Sequence, residues 1–345
     1  VVNAAQEEVD RLVDYQPNDV LEGFFASVKA DPTTIAELKE KAKSKEPAVL
    51  AKLGKRLVMA NRFGEALEPL SLLKPPPPEY WSALLGSARA AYKADSGTKP
   101  QLVQALKDAI AAEGGTSRSI GWRAELAGLG EDKAQAAKLR KDGVAVADML
   151  LGDEAKLKEG VKTDLVGEFT GYEPLLVAMA RADLIENTGA VAEETAAAWN
   201  LAADKAQALK ISPGKTGPAL RAVIILTKAE RYEQANALLG EMLKRDPGDP
   251  ELLRRRLRAL VGLKKFPQAI EVGERVLKNS YGRNEFWVAE VLAKAYIGAS
   301  QTAKAKALID TYLSRSDIEW SSLQSSRKTL ETLRAQIGQQ ATTKE

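Results

Sequence analysis

Arg231-Tyr-Glu-Gln-Ala235 and Lys265-Phe-Pro-Gln-Ala269 each place an aromatic residue three positions before an alanine, and the two alanines lie 34 residues apart. Leu243 and Leu277 keep the same interval. Ala305 and Leu313 extend it once more with a displacement of 36, which two residues added near Tyr281-Gly-Arg-Asn284 account for. An earlier copy runs Leu50-Ala-Lys-Leu53-Gly54, then Phe63-Gly-Glu-Ala66 and Leu70. Such a period constrains the fold more than any single residue does, because one supersecondary unit cannot bury both of its faces and needs like neighbours to shelter it. The small residues let two antiparallel helices approach closely, and the leucines after them fill the space between successive hairpins.

The punctuation agrees with that reading. In Asp246-Pro-Gly-Asp-Pro-Glu251, Pro247 is expected to stop one helix, Asp249 to cap the next, and Pro250 to occupy its first turn. Thr34-Ile-Ala-Glu37 has capping-box spacing. Between about 101 and 217 helical spacing persists, as in Leu102, Val103, Ala105, Leu106, Ala109 and Ile110, but the repeat register is lost. Breaks are expected at Asp95-Ser-Gly-Thr-Lys-Pro100, Glu113-Gly-Gly-Thr116 and Ser212-Pro-Gly-Lys-Thr-Gly-Pro218, the last being the expected module boundary. From Ile337 onward the chain has little apolar content and is expected to fray.

The copies resemble the tetratricopeptide repeat family, whose unit is about 34 residues of helix, turn and helix. Leu292 and Tyr296 occupy that family's leucine and tyrosine places, while Leu257 and Leu260 stand where its small residue and tyrosine would be. Tyr80-Trp81-Ser-Ala-Leu84 looks like another first helix. The resemblance implies an all-α chain of antiparallel helix hairpins stacked into a right-handed superhelical solenoid. The expected organisation is a helical cap over 1–46, hairpins over 47–113, a degenerate helical region over 114–211, a regular array over 212–316, and a capping helix with a frayed tail over 317–345.

Composition removes much chemistry. The chain of 345 residues contains neither cysteine nor histidine, so disulfides, thiolate nucleophiles, Cys/His zinc sites and every Ser-His-Asp or Cys-His arrangement are impossible within it. Zero cysteine favours an oxidising compartment such as a bacterial periplasm or cell envelope, with the cytoplasm as the alternative. The chain begins at Val1 rather than methionine, and removal of an upstream targeting segment or expression leader is expected. Fifty basic against 47 acidic residues leave a net charge of +3, which gives no general reason to expect nucleic acid or an anionic membrane as partner. No apolar run suggests a transmembrane segment.

Three motifs read better as structure than as sites. Gly214-Lys215-Thr216 lacks the glycine five residues before it that a phosphate-binding loop needs, because Leu209 stands there. Pro77-Pro78-Glu79-Tyr80 fits a polyproline ligand, but a connector whose Tyr80 and Trp81 enter the core explains it as well. Glu7-Glu8 and Glu193-Glu194 are adjacent on helices and so point apart, as solvated charge does. No catalytic, cofactor-binding or metal-binding residue is assigned.

The remaining candidate is Arg254-Arg-Arg-Leu-Arg258. Arg254 and Arg258 are four apart and share one helix face, with Leu253, Leu257 and Leu260 on another. By the resemblance, the first helix of each unit lines a concave surface, which brings Arg254, Arg258, Glu290 and Lys294 to a groove with Trp287 at one end. A carboxylate-rich segment could bind there; a solvated basic face with local acidic neighbours is the competing reading. The function expected is a noncatalytic scaffold or adaptor binding another protein or an acidic peptide, within a bacterial envelope assembly. The alternatives are an all-helical carbohydrate-active enzyme using Asp/Glu and a self-assembling structural protein.

Overall fold

The computed structural model describes residues 1–2, 8–10, 18–130, 132–160, 171–188, 190–318 and 320–342. A recurring turn organises them. Asn61, Glu230, Lys264 and Ser300 each take a left-handed backbone, with φ of 55°, 58°, 57° and 61°. The residue after each donates its N–H five positions back: Arg62 to Leu57 at 2.8 Å, Arg231 to Leu226 at 2.8 Å, Lys265 to Leu260 at 2.9 Å and Gln301 to Tyr296 at 2.8 Å. This six-to-one bond ends one helix and aims the chain into the next. Five residues after each left-handed position comes an alanine, Ala66, Ala235, Ala269 or Ala305, and each is 0% exposed. The alanine register read from the sequence is therefore the register of the folded hairpins.

The chain divides into two compact units, Val1–Leu209 with Lys215–Pro218, and Lys210–Gly214 with Ala219–Glu345. Unit 1 contains α1 (Asn18–Ala30), α2 (Ile35–Ala42), α3 (Pro47–Met59), α4 (Phe63–Ser71), α5 (Pro78–Ala94), α6 (Lys99–Glu113), α7 (Ser117–Leu129), α8 (Lys133–Gly152), α9 (Glu154–Gly160), α10 (Glu173–Asn187) and α11 (Ala192–Ala208). α12 (Thr216–Lys228) lies mostly in unit 2, followed by α13 (Tyr232–Arg245), α14 (Pro250–Gly262), α15 (Phe266–Leu277), α16 (Arg283–Gly298), α17 (Thr302–Leu313) and α18 (Gln324–Thr342). Among the described residues there is no strand, only an isolated bridge between Val2 and Glu8. Within each unit successive helices pack antiparallel, and helices two apart also meet, as α3 with α5, α14 with α16 and α16 with α18. That pattern is an all-α solenoid of stacked hairpins.

Neighbouring hairpins are keyed by a ring and a glycine. The first residue of α13, α15 and α4 is Tyr232, Phe266 and Phe63, and its ring lies over Gly262, Gly298 and Gly86 of the following hairpin. A Cβ on those glycines would come within 2.6, 2.3 and 2.5 Å of the ring, so no larger residue fits without displacing it. The aromatic three before Ala66, Ala235 and Ala269 thus carries the joint between neighbouring hairpins. The copy ending in α17 has Thr302 there instead. Beyond it Phe286 packs edge-on against Tyr312 and Trp320, at 5.2 and 5.5 Å between centroids, and Glu285 accepts from the Tyr312 hydroxyl at 2.9 Å and from Arg315 at 3.0 Å.

The expected caps form. Asp249 accepts from the N–H of Glu251 and Leu252 at 2.7 and 3.0 Å, and Thr34 and Glu37 complete a capping box. Tyr80 is partly buried against the core of α2 to α5, in agreement with a connector. The interval of 36 residues arises from a linker one residue longer and a longer α16, offset by a shorter α15. The last three residues of the expected frayed tail lie outside the described residues, and α18 runs through Ile337, which is buried at 9%, to Thr342. Its buried Leu330, Leu333 and Ile337 follow helical spacing, and that contact outweighs the polar composition.

At the N-terminal end of unit 1, Arg56 of α3 is 7% exposed and fully engaged. It donates to the carbonyls of Val9 at 3.1 Å and Asp31 at 2.9 Å and to that of Thr33, and it pairs with the Asp31 carboxylate at 3.1 Å. Lys52 meets the same carboxylate and, with Thr33, holds its pKa down at about 2.

Two substitutions test the register. Ala269→Glu, which forces a long charged side chain into a closed helix contact, is expected to destabilise unit 2 by about 3 kcal/mol or more in urea unfolding. Lys264→Gly removes the steric cost of a left-handed lysine and is expected to stabilise the chain by about 0.5–1 kcal/mol in the same measurement.

Candidate functional site

The basic run forms most of α14, and its residues diverge in environment. Leu253, Leu257 and Leu260 are buried, which fixes the helix's rotation and sends Arg254 and Arg258 toward the opposite side. The Arg254 side chain is only 18% exposed: its Nη2 bonds Glu251, and its buried Nε has no acceptor. Glu251 accepts a second time, from Arg255 Nε at 2.7 Å. One glutamate one turn upstream therefore serves two arginines. Arg258 is exposed, and no carboxylate among the described residues is in ion-pair contact with it. Its charge acts on Tyr232, whose phenol is pushed up by burial and by Glu230 and drawn back by Arg258.

α16 packs against α14 and against α18. It places Glu290 and Lys294 four residues apart, with Lys294 exposed and Glu290 and Trp287 partly buried. Burial raises the Glu290 carboxyl above its ordinary value, while a hydrogen bond with Ser326 of α18 and the Lys294 charge oppose the rise. The five residues singled out in the sequence thus occupy two adjoining helices, Arg254 and Arg258 on one and Trp287, Glu290 and Lys294 on the other. Sequence reasoning missed Glu251, which removes half of the expected positive charge, and Ser326, which joins the face from α18. The i, i+3 and i, i+4 spacings of Glu251 to Arg254 and Arg255 were a readable signal. Nothing marked Ser326.

The arrangement offers donors and little acid-base chemistry. Glu193 and Glu194 are exposed at the start of α11, Glu8 faces Arg62 at 3.3 Å, and Glu7 lies outside the described residues. Among the described residues no three or more acidic side chains gather as a metal site requires. No described helix is long and apolar enough to cross a membrane.

Glu290 supplies a pH test. Its folded-state pKa is raised, so the folded chain holds this proton more tightly than the unfolded chain, and the group's contribution to stability falls as pH rises through the folded value. Glu290→Gln is expected to be more stable than the parent at neutral pH, with the difference shrinking toward about pH 4, as read from urea midpoints.

A search of curated proteins finds no match. Similar solved structures include a tetratricopeptide repeat protein from Parabacteroides merdae, at 12% identity and TM-score 0.43, covering 83% of this chain and 98% of that one. The TPR2AB domain of yeast Sti1 in complex with pHSP90 aligns at 18% identity and TM-score 0.32, covering 83% of this chain and 95% of that one. The TPR domain of P58(IPK) aligns at 16% identity and TM-score 0.29, covering 82% and 94%. The family model described as tetratricopeptide repeat matches residues 226–289. This stretch, which is similar to the tetratricopeptide repeat, runs from the end of α12 into α16 and holds two of the left-handed turns and both of their buried alanines.

Proposed function

We propose that the chain is a noncatalytic scaffold that binds an acidic segment of another protein along the face made by α14, α16 and α18. The observation that carries this reading is the exposed, uncompensated Arg258 on a helix whose own glutamate is already shared by Arg254 and Arg255. A carboxylate arriving there gains a charge-assisted hydrogen bond without first breaking an internal ion pair. Arg254 is the weaker contributor, since a ligand must compete with Glu251 for it. Trp287 supplies partly buried aromatic area beside the charges, the usual composition of an energetic centre in an interface. The repeat architecture supports a scaffold role, because stacked hairpins present a long continuous surface rather than an enclosed cleft. The absence of cysteine supports a place in a bacterial envelope assembly.

The paired variant Arg254→Glu with Arg258→Glu tests the reading. Pull-down of the partner is expected to weaken about tenfold or more while circular dichroism stays unchanged. Binding equal to the parent would remove the groove from the function.

A further inference from the structure

Arg123 of α7 is a partly buried arginine that is anchored by a neutral group. Arg56, Arg62, Arg118 and Arg181 each meet a carboxylate, Asp31 at 3.1 Å, Glu65 at 2.7 Å, Glu113 at 2.8 Å and Asp148 at 2.6 Å. Among the described residues none is in ion-pair contact with Arg123. Burial pulls its pKa down, and the more distant Asp142 is the charge that opposes this. A partly buried guanidinium whose counter-charge stands out of contact is stabilised less than a paired one.

Its position is nevertheless fixed. Nη1 donates to the Ser119 hydroxyl at 2.5 Å and to the Ser119 carbonyl at 3.3 Å. Ser119 is 0% exposed, and its hydroxyl is 2.8 Å from the Gly114 carbonyl, so the anchor is itself held. A Cβ on Gly114 would stand 3.3 Å from Nη2, so the bare glycine lets the guanidinium lie close to the backbone there. Serine thus engages one nitrogen, and the Nε and Nη2 edge has no acceptor among the described residues. Two parallel N–H groups on one rigid edge are the complement of a carboxylate.

We infer that Arg123 anchors a second acid-binding site, in unit 1, where its Nε and Nη2 edge takes the carboxylate of an aspartate or glutamate from a partner protein in a two-pronged contact. The bound carboxylate adds a charge in direct contact to the more distant one of Asp142. The site stands independently of the face on α14 and α16.

The test follows the Arg123 Nε–H resonance of the full nitrogen-15-labelled chain during titration with a hexaglutamate peptide at constant ionic strength. Sodium chloride and inorganic phosphate form separate arms. A saturable shift with the peptide is expected at that resonance and at the backbone amide of position 123; in Arg123→Lys, which keeps the charge and loses the fork, that amide is expected to titrate with about tenfold weaker affinity. The same shift is expected to survive in the Arg254→Glu and Arg258→Glu pair, which separates this site from the other. Three results would overturn the assignment: chloride moving the resonance as far as the peptide does, phosphate alone saturating it, or Asp142→Asn shifting it without ligand as the peptide does, since Asp142 would then already occupy the edge in solution.

Discussion

Everything in the repeated parts of this chain depends on how closely two helices can approach at a single alanine. Ala66, Ala235, Ala269 and Ala305 are completely covered, and each stands at the same distance from a left-handed residue that turns the chain. Turn and contact work together: the six-to-one hydrogen bond sets the angle at which the second helix leaves, and the methyl side chain lets it settle against the first. The turns use Glu230, Lys264 and Ser300 where glycine would be easiest, so the packing gained at the alanine outweighs a local backbone cost. Only Asn61 is a residue type suited to that conformation.

Charge inside the units follows a different logic. Arg56 is almost wholly covered and has several acceptors, which ties residues before α3 onto that helix. Arg254 is covered and half satisfied, Arg258 is open, and Arg123 is held firmly by a serine without an acid. A cation that stabilises the fold brings its counter-charge with it, whereas one oriented by neutral groups keeps its electrostatic capacity for something arriving from outside.

The sequence shows the repeated parts well and the middle poorly, for a reason visible in the turns. Where a hairpin closes through a left-handed residue, the spacing from turn to alanine is fixed, and the period can be counted. Around α7 and α8 the chain instead leaves the helix through Gly130 in an extended conformation and enters the next at Asp132, which caps Ala134 and Gln135. The hairpin survives and its register disappears. In α18 Leu330, Leu333 and Ile337 are spaced for one helical face, a periodicity that composition alone does not show. In the candidate face the arginines were legible from their fourfold spacing. Glu251 could have been paired with them by the same rule, and Ser326 could not, since its approach depends on tertiary packing alone.

The rings of Phe63, Tyr232 and Phe266 and the glycines beneath them belong to different hairpins, so neither half of the joint is complete within one period. Shortening or lengthening such an array by gene rearrangement therefore succeeds only when the cut falls at equivalent points in two copies, which returns a ring to a bare glycine. A cut at any other phase strands an aromatic side chain in water at one junction and opens a hole at another. This makes the number of repeats a quantity that evolution can change in whole steps and not by gradual trimming.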